Sequence, residues 1–210
     1  MIKVLIADDH SILRRGLAQI ISETPDMQVC GEAENSAQAV RFAREHPVDV
    51  VLLDITLPDR NGLDTLKQLK KEKPKLAVLM LSMHPEDIYA LRAIKAGAAG
   101  YLNKASAPAL LVTAIRQVAG GRRYISPAVA EALAGTIVDG ADRPAHASLS
   151  DREYETMRLI ASGKTVSEIA AEMSLSVKTV SVYRARLLQK MQLKNNSELT
   201  HYALKNQLVD

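Results

Sequence analysis

Residues 1–122 alternate short apolar runs with stretches in which apolar side chains recur every three or four positions. The runs are rich in Val, Ile, Leu and Ala, which is typical of strands buried on both faces of a parallel sheet. They predict five strands, over residues 2–7, 27–33, 48–54, 76–81 and 98–102. The recurring stretches predict a helix after each strand, the last over residues 108–119. Strands that alternate with helices indicate an α/β fold with a parallel sheet.

Polar side chains mark the ends of these predicted strands. They are Asp8 and Asp9 after the first strand, Asp54 at the end of the third, Ser82 after the fourth and Lys104 after the fifth. In a flavodoxin-like sheet of order 2-1-3-4-5, the first and third strands are neighbours where the strand order reverses, and ligands bind at that point. The three carboxylates are therefore predicted to share one crevice, with the lysine on its far rim.

Three crowded carboxylates repel one another, so their pKa values rise unless a cation lies among them. A hard divalent cation such as Mg²⁺ suits a few carboxylates together with a phosphate. The ammonium of Lys104 would balance such an anion, and the hydroxyl of Ser82 would hydrogen-bond it. This combination predicts a site for a phosphoryl group on Asp54. The alternative is a structural acid pair, in which Asp9 only caps the first helix.

A different pattern begins at residue 149, where helices with capping residues replace the strands. Two capping boxes and one serine cap precede the first three helices: Ser150 with Glu153, Thr165 with Glu168, and Ser176. The third helix covers residues 177–191, and a fourth is predicted over residues 197–207. Short helices joined by a three-residue turn predict a helix-turn-helix, whose second helix enters the DNA major groove. A helical bundle that binds protein is the alternative.

The charge of this second region is unevenly distributed. The whole chain has a net charge of only +3, which by itself argues for no partner. Between residues 173 and 197, however, there is no acidic residue. The basic side chains of that window are Lys178, Arg184, Arg186, Lys190 and Lys194. Such a stripe is typical of a phosphate-binding surface, although a solvated helix face has the same pattern.

The composition excludes several classes of protein. Cys30 is the single cysteine, so no intrachain disulfide forms and a reducing compartment is expected. No apolar run approaches ~18 residues, the length of a membrane-spanning helix, and acids at positions 8 and 9 come too early for a signal peptide. We therefore expect a cytoplasmic protein without a membrane partner. Residues 123–148 are predicted to be a linker with a short helix near 128–138, between domains at 1–122 and 149–210.

The motifs of both regions resemble those of a known family. The signature of two-component receiver domains is similar to Asp8-Asp9, Leu53-Asp54, Leu81-Ser82 and Gly100-Tyr101-Leu102-Asn103-Lys104. LuxR-type output domains resemble the second region at Glu168-Ile169-Ala170, Lys178-Thr179-Val180 and Lys190-Met191. The whole chain resembles a response regulator of the NarL/FixJ class. This resemblance implies a flavodoxin-like (βα)5 receiver followed by a small all-α, four-helix helix-turn-helix domain.

The resemblance also implies residue roles in the receiver. A partner sensor histidine kinase would phosphorylate Asp54, which would promote dimerisation and DNA binding. The receiver would catalyse only its own phosphoryl transfer and slow dephosphorylation, and the protein would not otherwise be an enzyme. Mg²⁺ would be held by Asp8, Asp9, Asp54 and the backbone carbonyl of Thr56. The phosphoryl oxygens would contact Lys104, and the switch pair would be Ser82 and Tyr101.

The DNA contacts are predicted on helix 177–191 and just beyond it. They involve Lys178, Thr179, Ser181, Val182, Ala185, Arg186, Lys190 and Lys194. Lys178 and Val182 are predicted to reach base edges, whereas Arg186, Lys190 and Lys194 are placed for phosphates. The opposite, apolar face is predicted to comprise Val177, Val180, Leu187 and Met191. A two-fold dimer would bind an inverted repeat of double-stranded DNA.

The chain departs from the family pattern at a few positions. Ala105 follows the lysine where many receivers have proline, so a trans bond is expected there. Tyr183 stands where output domains often have His, and Arg184, at the edge of the apolar face, must extend outward or pair. A haloacid-dehalogenase-type enzyme is an alternative, but its second Asp is replaced by Thr56. A receiver with a protein- or RNA-binding output is another.

Overall fold

The computed structural model describes residues 1–83, 86–106, 108–126, 129–130, 144–206 and 208–209, and for residues 86–88 and 147 only the backbone. The chain divides into two compact units, Met1–Ala134 and Gly135–Asp210. Of the linker helix predicted near residues 128–138, only residues 129–130 are described, and both are helical; the other residues of that prediction lie outside the described part. Among the described helices, none is both long enough and apolar enough to cross a membrane.

The first unit is a five-stranded parallel sheet flanked by helices. Its strands are β1 (Ile2–Ala7), β2 (Met27–Ala33), β3 (Val50–Asp54), β4 (Ala77–Ser82) and β5 (Gly100–Asn103). Its described helices are α1 (Ser11–Ser22), α2 (Ser36–Glu45), α3 (Gly62–Glu72), α4 (Glu86–Lys95) and α5 (Pro108–Ala119). The strand order is β2-β1-β3-β4-β5, and all four pairings are parallel. The predicted fold class and strand order are confirmed.

Burial explains why the central strands have no alternating polar positions. Every residue of β3 is buried, and so are residues 4–7 of β1. Helices cover both faces of the sheet, so apolar side chains are required on both sides of these strands. The predicted third and fifth strands began two residues too early, because strand pairing starts at Val50 and Gly100. Strand ends are the least certain part of a pattern-based prediction.

The second unit is helical. A 3-10 turn at Ala145–Ser148 precedes α6 (Asp151–Ala161), α7 (Val166–Glu172), α8 (Val177–Met191) and α9 (Asn196–Lys205). Both predicted capping boxes form, and Ser176 accepts a hydrogen bond from the N–H of Thr179 at the start of α8. These caps satisfy N–H groups that the first turn of a helix leaves unpaired, which is why the helices begin where the sequence indicated.

The apolar face of α8 differs at one position from the prediction. Val180, Leu187, Leu188 and Met191 are buried, and they pack this helix into the unit. Val177, however, is 50% exposed, so its assignment to the apolar seam was wrong. As the first helical residue after the Ser176 cap, Val177 lies beyond the packed part of the seam. Helical periodicity gives the face on which a residue lies, but not where the covering surface ends.

Candidate functional site

The carboxyl ends of β1, β3 and β5 place three charged side chains in contact. Asp8 follows β1, Asp54 is the last residue of β3, and Lys104 follows β5. The Lys104 ammonium lies 2.7 Å from Oδ2 of Asp8 and 2.7 Å from Oδ2 of Asp54. All three side chains are at most 3% exposed. The lysine therefore lies between the two carboxylates and not on the far rim, where the sequence had placed it.

Burial determines the electrostatics of this group. Removal from water raises the pKa of the Asp54 carboxyl to about 6, although the Lys104 ammonium opposes the rise; the charge of Asp8 adds to it. Oδ2 of Asp8 and Oδ2 of Asp54 accept no hydrogen bond of regular geometry among the described residues. Each of these two oxygens nevertheless lies 2.7 Å from the Lys104 ammonium, which is their charged neighbour. Two buried carboxylates that share one cation leave negative charge for a second cation to neutralise.

The loop after β3 is fixed around Asp54 by hydrogen bonds and close packing. The N–H of Thr56 donates to Oδ1 of Asp54 at 3.2 Å. Further along the loop, the carboxylate of Asp59 accepts the N–H of Ser36 at 2.8 Å, which ties the loop to the start of α2. At Gly62 a Cβ atom would lie only 2.0 Å from the carbonyl oxygen of Asp54. Only glycine therefore lets α3 begin so close to the end of β3.

Asp9 and His10 border the more open side of the crevice. One ligand atom each from Asp8, Asp9, His10 and Asp54 lies within 4.8 Å of the others. The Nδ1 atom of His10 is 2.8 Å from Oδ1 of Asp9, and the His10 side chain is 64% exposed. The alternative in which Asp9 caps α1 is not observed, because the cap position is His10 and no side chain caps that helix.

The donor set of the crevice fits a hard divalent cation. Crowded carboxylate oxygens are the ligands that Mg²⁺ prefers, and two of them are buried without a regular hydrogen bond. The sequence predicted Asp8, Asp9 and Asp54 for this role, and the structure brings these three together. The sequence analysis did not predict His10 as a neighbour of this site, although its position directly after the acidic pair was an available signal. The Thr56 residue, whose carbonyl was also predicted as a ligand, lies on the exposed loop beside Asp54.

Arg14 is a second residue that the sequence did not single out. Its buried guanidinium donates to the carbonyl oxygen of Asp8 at 2.7 Å. The same group donates to Glu32 at 2.8 Å and to Glu34 at 2.7 Å. It thereby joins α1 to the end of β2 and holds the backbone of Asp8 in place. The available signal was a charged residue three positions before Leu17, on the face of α1 that packs on the sheet.

The two predicted switch residues are both in the interior of the first unit. Ser82 is 1% exposed and Tyr101 is 2% exposed. The N–H of Lys104 donates to the carbonyl oxygen of Ser82 at 2.8 Å, so Ser82 and Lys104 lie at the same end of the sheet. The Tyr101 ring is thus already inward in this structure. Every peptide bond of the described residues is trans, as expected after Lys104 at Ala105.

Helix α8 presents most of its predicted DNA-contacting residues to solvent. The exposed ones are Lys178, Ser181, Val182, Ala185, Arg186 and Lys190, with Lys194 in the turn that follows. Val182 is 40% exposed although it is apolar. Thr179 is half-buried, and its hydroxyl lies 2.8 Å from the hydroxyl of the Ser176 cap. A basic face with an exposed apolar residue has both kinds of group that contact DNA bases and phosphates.

Two basic residues of α8 are paired within the unit. The Lys190 ammonium donates to Oε2 of Glu153 at 2.7 Å. Nε of Arg184 donates to the side-chain oxygen of Asn196 at 2.7 Å, which is the pairing that its place at the edge of the apolar face required. No ion pair among the described residues involves Lys178 or Arg186. Within the basic stripe, Lys190 and Arg184 therefore have partners in the unit, whereas Lys178 and Arg186 are in no ion pair with a described residue.

Comparison with known protein families identifies the same two parts. The response regulator receiver domain family matches residues 4–116, and the luxR family of bacterial regulatory proteins matches residues 147–203. The chain belongs to the two-component response regulators that join a receiver domain to a LuxR-type DNA-binding domain. This membership confirms the resemblance to the NarL/FixJ class, and it excludes the haloacid-dehalogenase alternative.

Individual relatives match over the full length. The chain is 37% identical over 211 residues to response regulator UvrY of Escherichia coli K12, with 100% of this chain and 97% of that protein covered. It is 37% identical over 212 residues to response regulator GacA of Pseudomonas aeruginosa PAO1, covering 100% and 99%. A solved structure of RcsB from Salmonella enterica serovar Typhimurium, bound to promoter rprA with the phosphomimetic BeF3-, has a TM-score of 0.67 at 25% identity, covering 96% and 97%. The chain is a regulator of transcription.

Proposed function

We propose that Asp54 accepts a phosphoryl group from the phosphohistidine of a sensor histidine kinase, and that this modification controls dimerisation and DNA binding. The supporting observation is the buried contact between Asp54 and Lys104, whose charged atoms lie 2.7 Å apart at the carboxyl edge of the sheet. It combines a carboxylate nucleophile with a fixed cation beside it. The Asp54 carboxyl, with a pKa of about 6, is mostly ionised at neutral pH.

The transfer exchanges one bond to phosphorus for another. An Asp54 carboxylate oxygen forms the new O–P bond while the N–P bond to the kinase histidine breaks, and the imidazole nitrogen leaves with the electron pair. The Lys104 ammonium neutralises charge on the transferring group. Slow dephosphorylation reverses the modification when water takes the phosphoryl group. The receiver acts in this way only on itself, and we assign no other catalytic activity to the chain.

The crevice fits Mg²⁺, with Asp8, Asp9, Asp54 and the backbone carbonyl of Thr56 as the proposed ligands. When bound, the ion supplies positive charge beside the phosphoryl oxygens. The chain's own residues prepare the site. Arg14 holds the backbone of Asp8, and the N–H of Thr56 directs the carboxylate of Asp54.

Phosphorylation would then be read by the switch pair. The group adds about −1.5 to −2 charge, and the Ser82 hydroxyl would hydrogen-bond it. Tyr101 is inward in this structure, and we expect phosphorylation to raise the population of this conformation relative to an outward one. That shift in population would change the surface of α4, β5 and α5 and promote a homodimer. The structure of RcsB bound to a promoter in the presence of a phosphomimetic supports a link between the phosphorylated state and DNA binding.

We propose that the second unit binds double-stranded DNA through α8, and that it does so in the cytoplasm. Lys178, Ser181, Val182 and Ala185 would face base edges in the major groove, with Thr179 beside them. Arg186 and Lys194 would contact phosphates. A two-fold dimer would bind an inverted repeat with half-sites about one helical turn apart. Lys190 differs from these residues because its ammonium is occupied by Glu153.

The test treats the full chain with Mg²⁺ and acetyl phosphate, and then measures sedimentation and binding to genomic DNA fragments. The dimer fraction and the affinity for a subset of fragments are expected to rise in the wild type and to stay unchanged in Asp54→Asn. An equal monomer fraction with and without phosphorylation would contradict the dimerisation step. A wild type with no preference among duplexes would favour a protein- or RNA-binding output instead.

A further inference from the structure

An ion pair joins the last turn of α8, the helix proposed to read DNA, to the first turn of α6. Nζ of Lys190, in the last turn of α8, lies 2.7 Å from Oε2 of Glu153, in the first turn of α6. That same oxygen accepts the N–H of Ser150 at 2.8 Å. The carboxylate therefore has two roles: it closes the capping box that starts α6, and it holds the end of the helix that is proposed to read DNA.

Burial makes this pair difficult to separate. The Glu153 side chain is only 4% exposed, whereas the Lys190 side chain is 43% exposed. Although burial by itself raises the pKa of Glu153, the hydrogen bonds from Lys190 and Ser150 hold it below its ordinary value. Removing the cation would leave a charged, buried carboxylate without its counter-ion, which is strongly unfavourable. A DNA phosphate that drew this ammonium away from Glu153 would have to overcome that cost.

Two directional contacts hold α8: the hydrogen bond from Arg184 to Asn196 joins it to the start of α9, and the Lys190–Glu153 pair, whose carboxylate is almost fully buried, joins it to α6. Val180, Leu187, Leu188 and Met191 bury apolar surface, and hydrophobic contacts are non-directional. A hydrogen-bonded ion pair accepts one register, and register selection is the best-attested role of buried polar groups. A small rotation or slide of α8 would move the Cβ atoms of Val182 and Ala185 relative to a base edge.

We propose that Lys190 is a positioning residue, which acts on DNA recognition through Glu153 by fixing the register of α8 against α6. It does not bind a phosphate. This inference replaces the phosphate contact predicted from the basic stripe. It rests on the proposed function, because it assumes that α8 reads DNA.

The test uses the full chain, a duplex that the wild type enriches from a random pool, and a scrambled duplex of the same composition. Both are titrated at several salt concentrations. Lys190→Ala is expected to lower the ratio of matched to scrambled affinity roughly tenfold and to leave the salt slope at the wild-type value. The matched control is Arg186→Ala, one turn earlier on α8, which should weaken both duplexes alike and reduce the salt slope by about one.

Two further variants separate positioning from loss of folding. Glu153→Gln keeps the shape and the hydrogen-bond acceptor for Ser150 but removes the charge, so it should lower the same ratio without changing the salt slope. The double variant with Lys190→Ala should be no worse than the more affected single variant. Lys190→Arg, which keeps the charge, should restore much of the ratio. Thermal unfolding followed by circular dichroism identifies any variant that does not fold. If Lys190→Ala does not fold, the affinity ratio of Glu153→Gln tests the inference.

Three results would overturn the inference. The first is a salt slope that falls by about one in Lys190→Ala with an unchanged affinity ratio, because that is the behaviour of a phosphate contact. The second is a Glu153→Gln variant with the wild-type ratio. The third is a wild type without preference for any duplex, and this result alone would overturn DNA reading by α8 as well.

Discussion

The acid crevice of the first unit and the exposed face of α8 are built on opposite physical principles. In the crevice, Asp8, Asp54 and Lys104 come from the ends of three strands and are at most 3% exposed. On α8, one helix supplies most of the functional side chains, and they face solvent. Low exposure makes each charge in the crevice strong and dependent on the others. Solvent makes each contact on α8 weak and nearly independent.

This difference predicts how the two regions respond to substitution. Removing one member of the crevice leaves a buried charge without its partner, so effects should be large and non-additive. Removing one side chain without an intramolecular partner from the exposed face of α8 deletes one contact among several, so effects should be small and additive. The following predictions test the contrast, beginning with the largest effect.

Asp54→Asn should abolish phosphorylation. The amide keeps the size of the side chain but is not a carboxylate nucleophile. Incubation with Mg²⁺ and acetyl phosphate should add one phosphoryl group to the wild type and none to the variant, as measured by intact-protein mass spectrometry. Equal labelling of the two proteins would show that Asp54 is not the acceptor.

Lys104→Ala should slow phosphorylation on the order of 100-fold or more, because the transferring group loses a preorganised cation. The initial rate of labelling measures this effect. Lys75→Ala removes an exposed lysine at residue 75 and serves as the matched control, for which the wild-type rate is expected. If both variants label at similar rates, the buried position of Lys104 has no catalytic consequence.

Asp9→Ala should weaken Mg²⁺ binding about 100-fold while the nucleophile remains in place. The variant loses a carboxylate that we propose as a direct ligand of the ion, and the loss of a ligand is expected to have at least the ~10–100-fold effect of losing an outer-shell partner. Isothermal titration with Mg²⁺ measures the affinity directly. His10→Ala, which removes a neighbour of Asp9, is the control expected to change it less; the reverse order would assign His10 as the ligand.

The pH dependence of Asp54 should reflect its burial. Without Mg²⁺, the carbon-13 shift of its carboxyl should titrate with a midpoint at a pKa of about 6, raised from 3.8 chiefly by desolvation. The folded state holds this proton more tightly than the unfolded chain does, so the group's contribution to stability is present below about pH 4 and is lost as pH rises through 6. At low Mg²⁺, labelling should fall roughly fivefold from pH 6 to pH 5, because the ionised fraction of a carboxyl with a pKa of about 6 falls by that factor. A midpoint near 4 would mean that the crevice is wet.

Val182→Ala should have the smallest effect, a loss of about 1 kcal/mol in affinity for the preferred duplex. The valine is exposed and is proposed to contact a thymine methyl group. Affinity for a scrambled duplex and the salt slope should not change, because no charge is removed. Titrations of both duplexes measure this, and an equal loss on both would assign the residue to folding rather than to recognition.

The sequence did not reveal the contacts that depend on distant parts of the chain. Lys104 was predicted on the far rim of the crevice, but it lies between Asp8 and Asp54. Lys190 is predicted as a phosphate contact, and in this structure its ammonium pairs with Glu153, which is 37 residues away in the sequence. Arg14 was not considered, although it holds the carbonyl of Asp8. In each case the sequence showed a charged residue but did not show which distant residue it contacts.

The sequence by itself determined the order of helices and strands, the carboxylates at the strand ends and the capped starts of α6, α7 and α8. These features depend on residues a few positions apart, where periodicity and capping act. Tertiary structure alone decided which charges are buried together and which remain free on the surface. The physical reason is that the value of an ion pair depends on its removal from water, and that removal is known only once distant elements have packed.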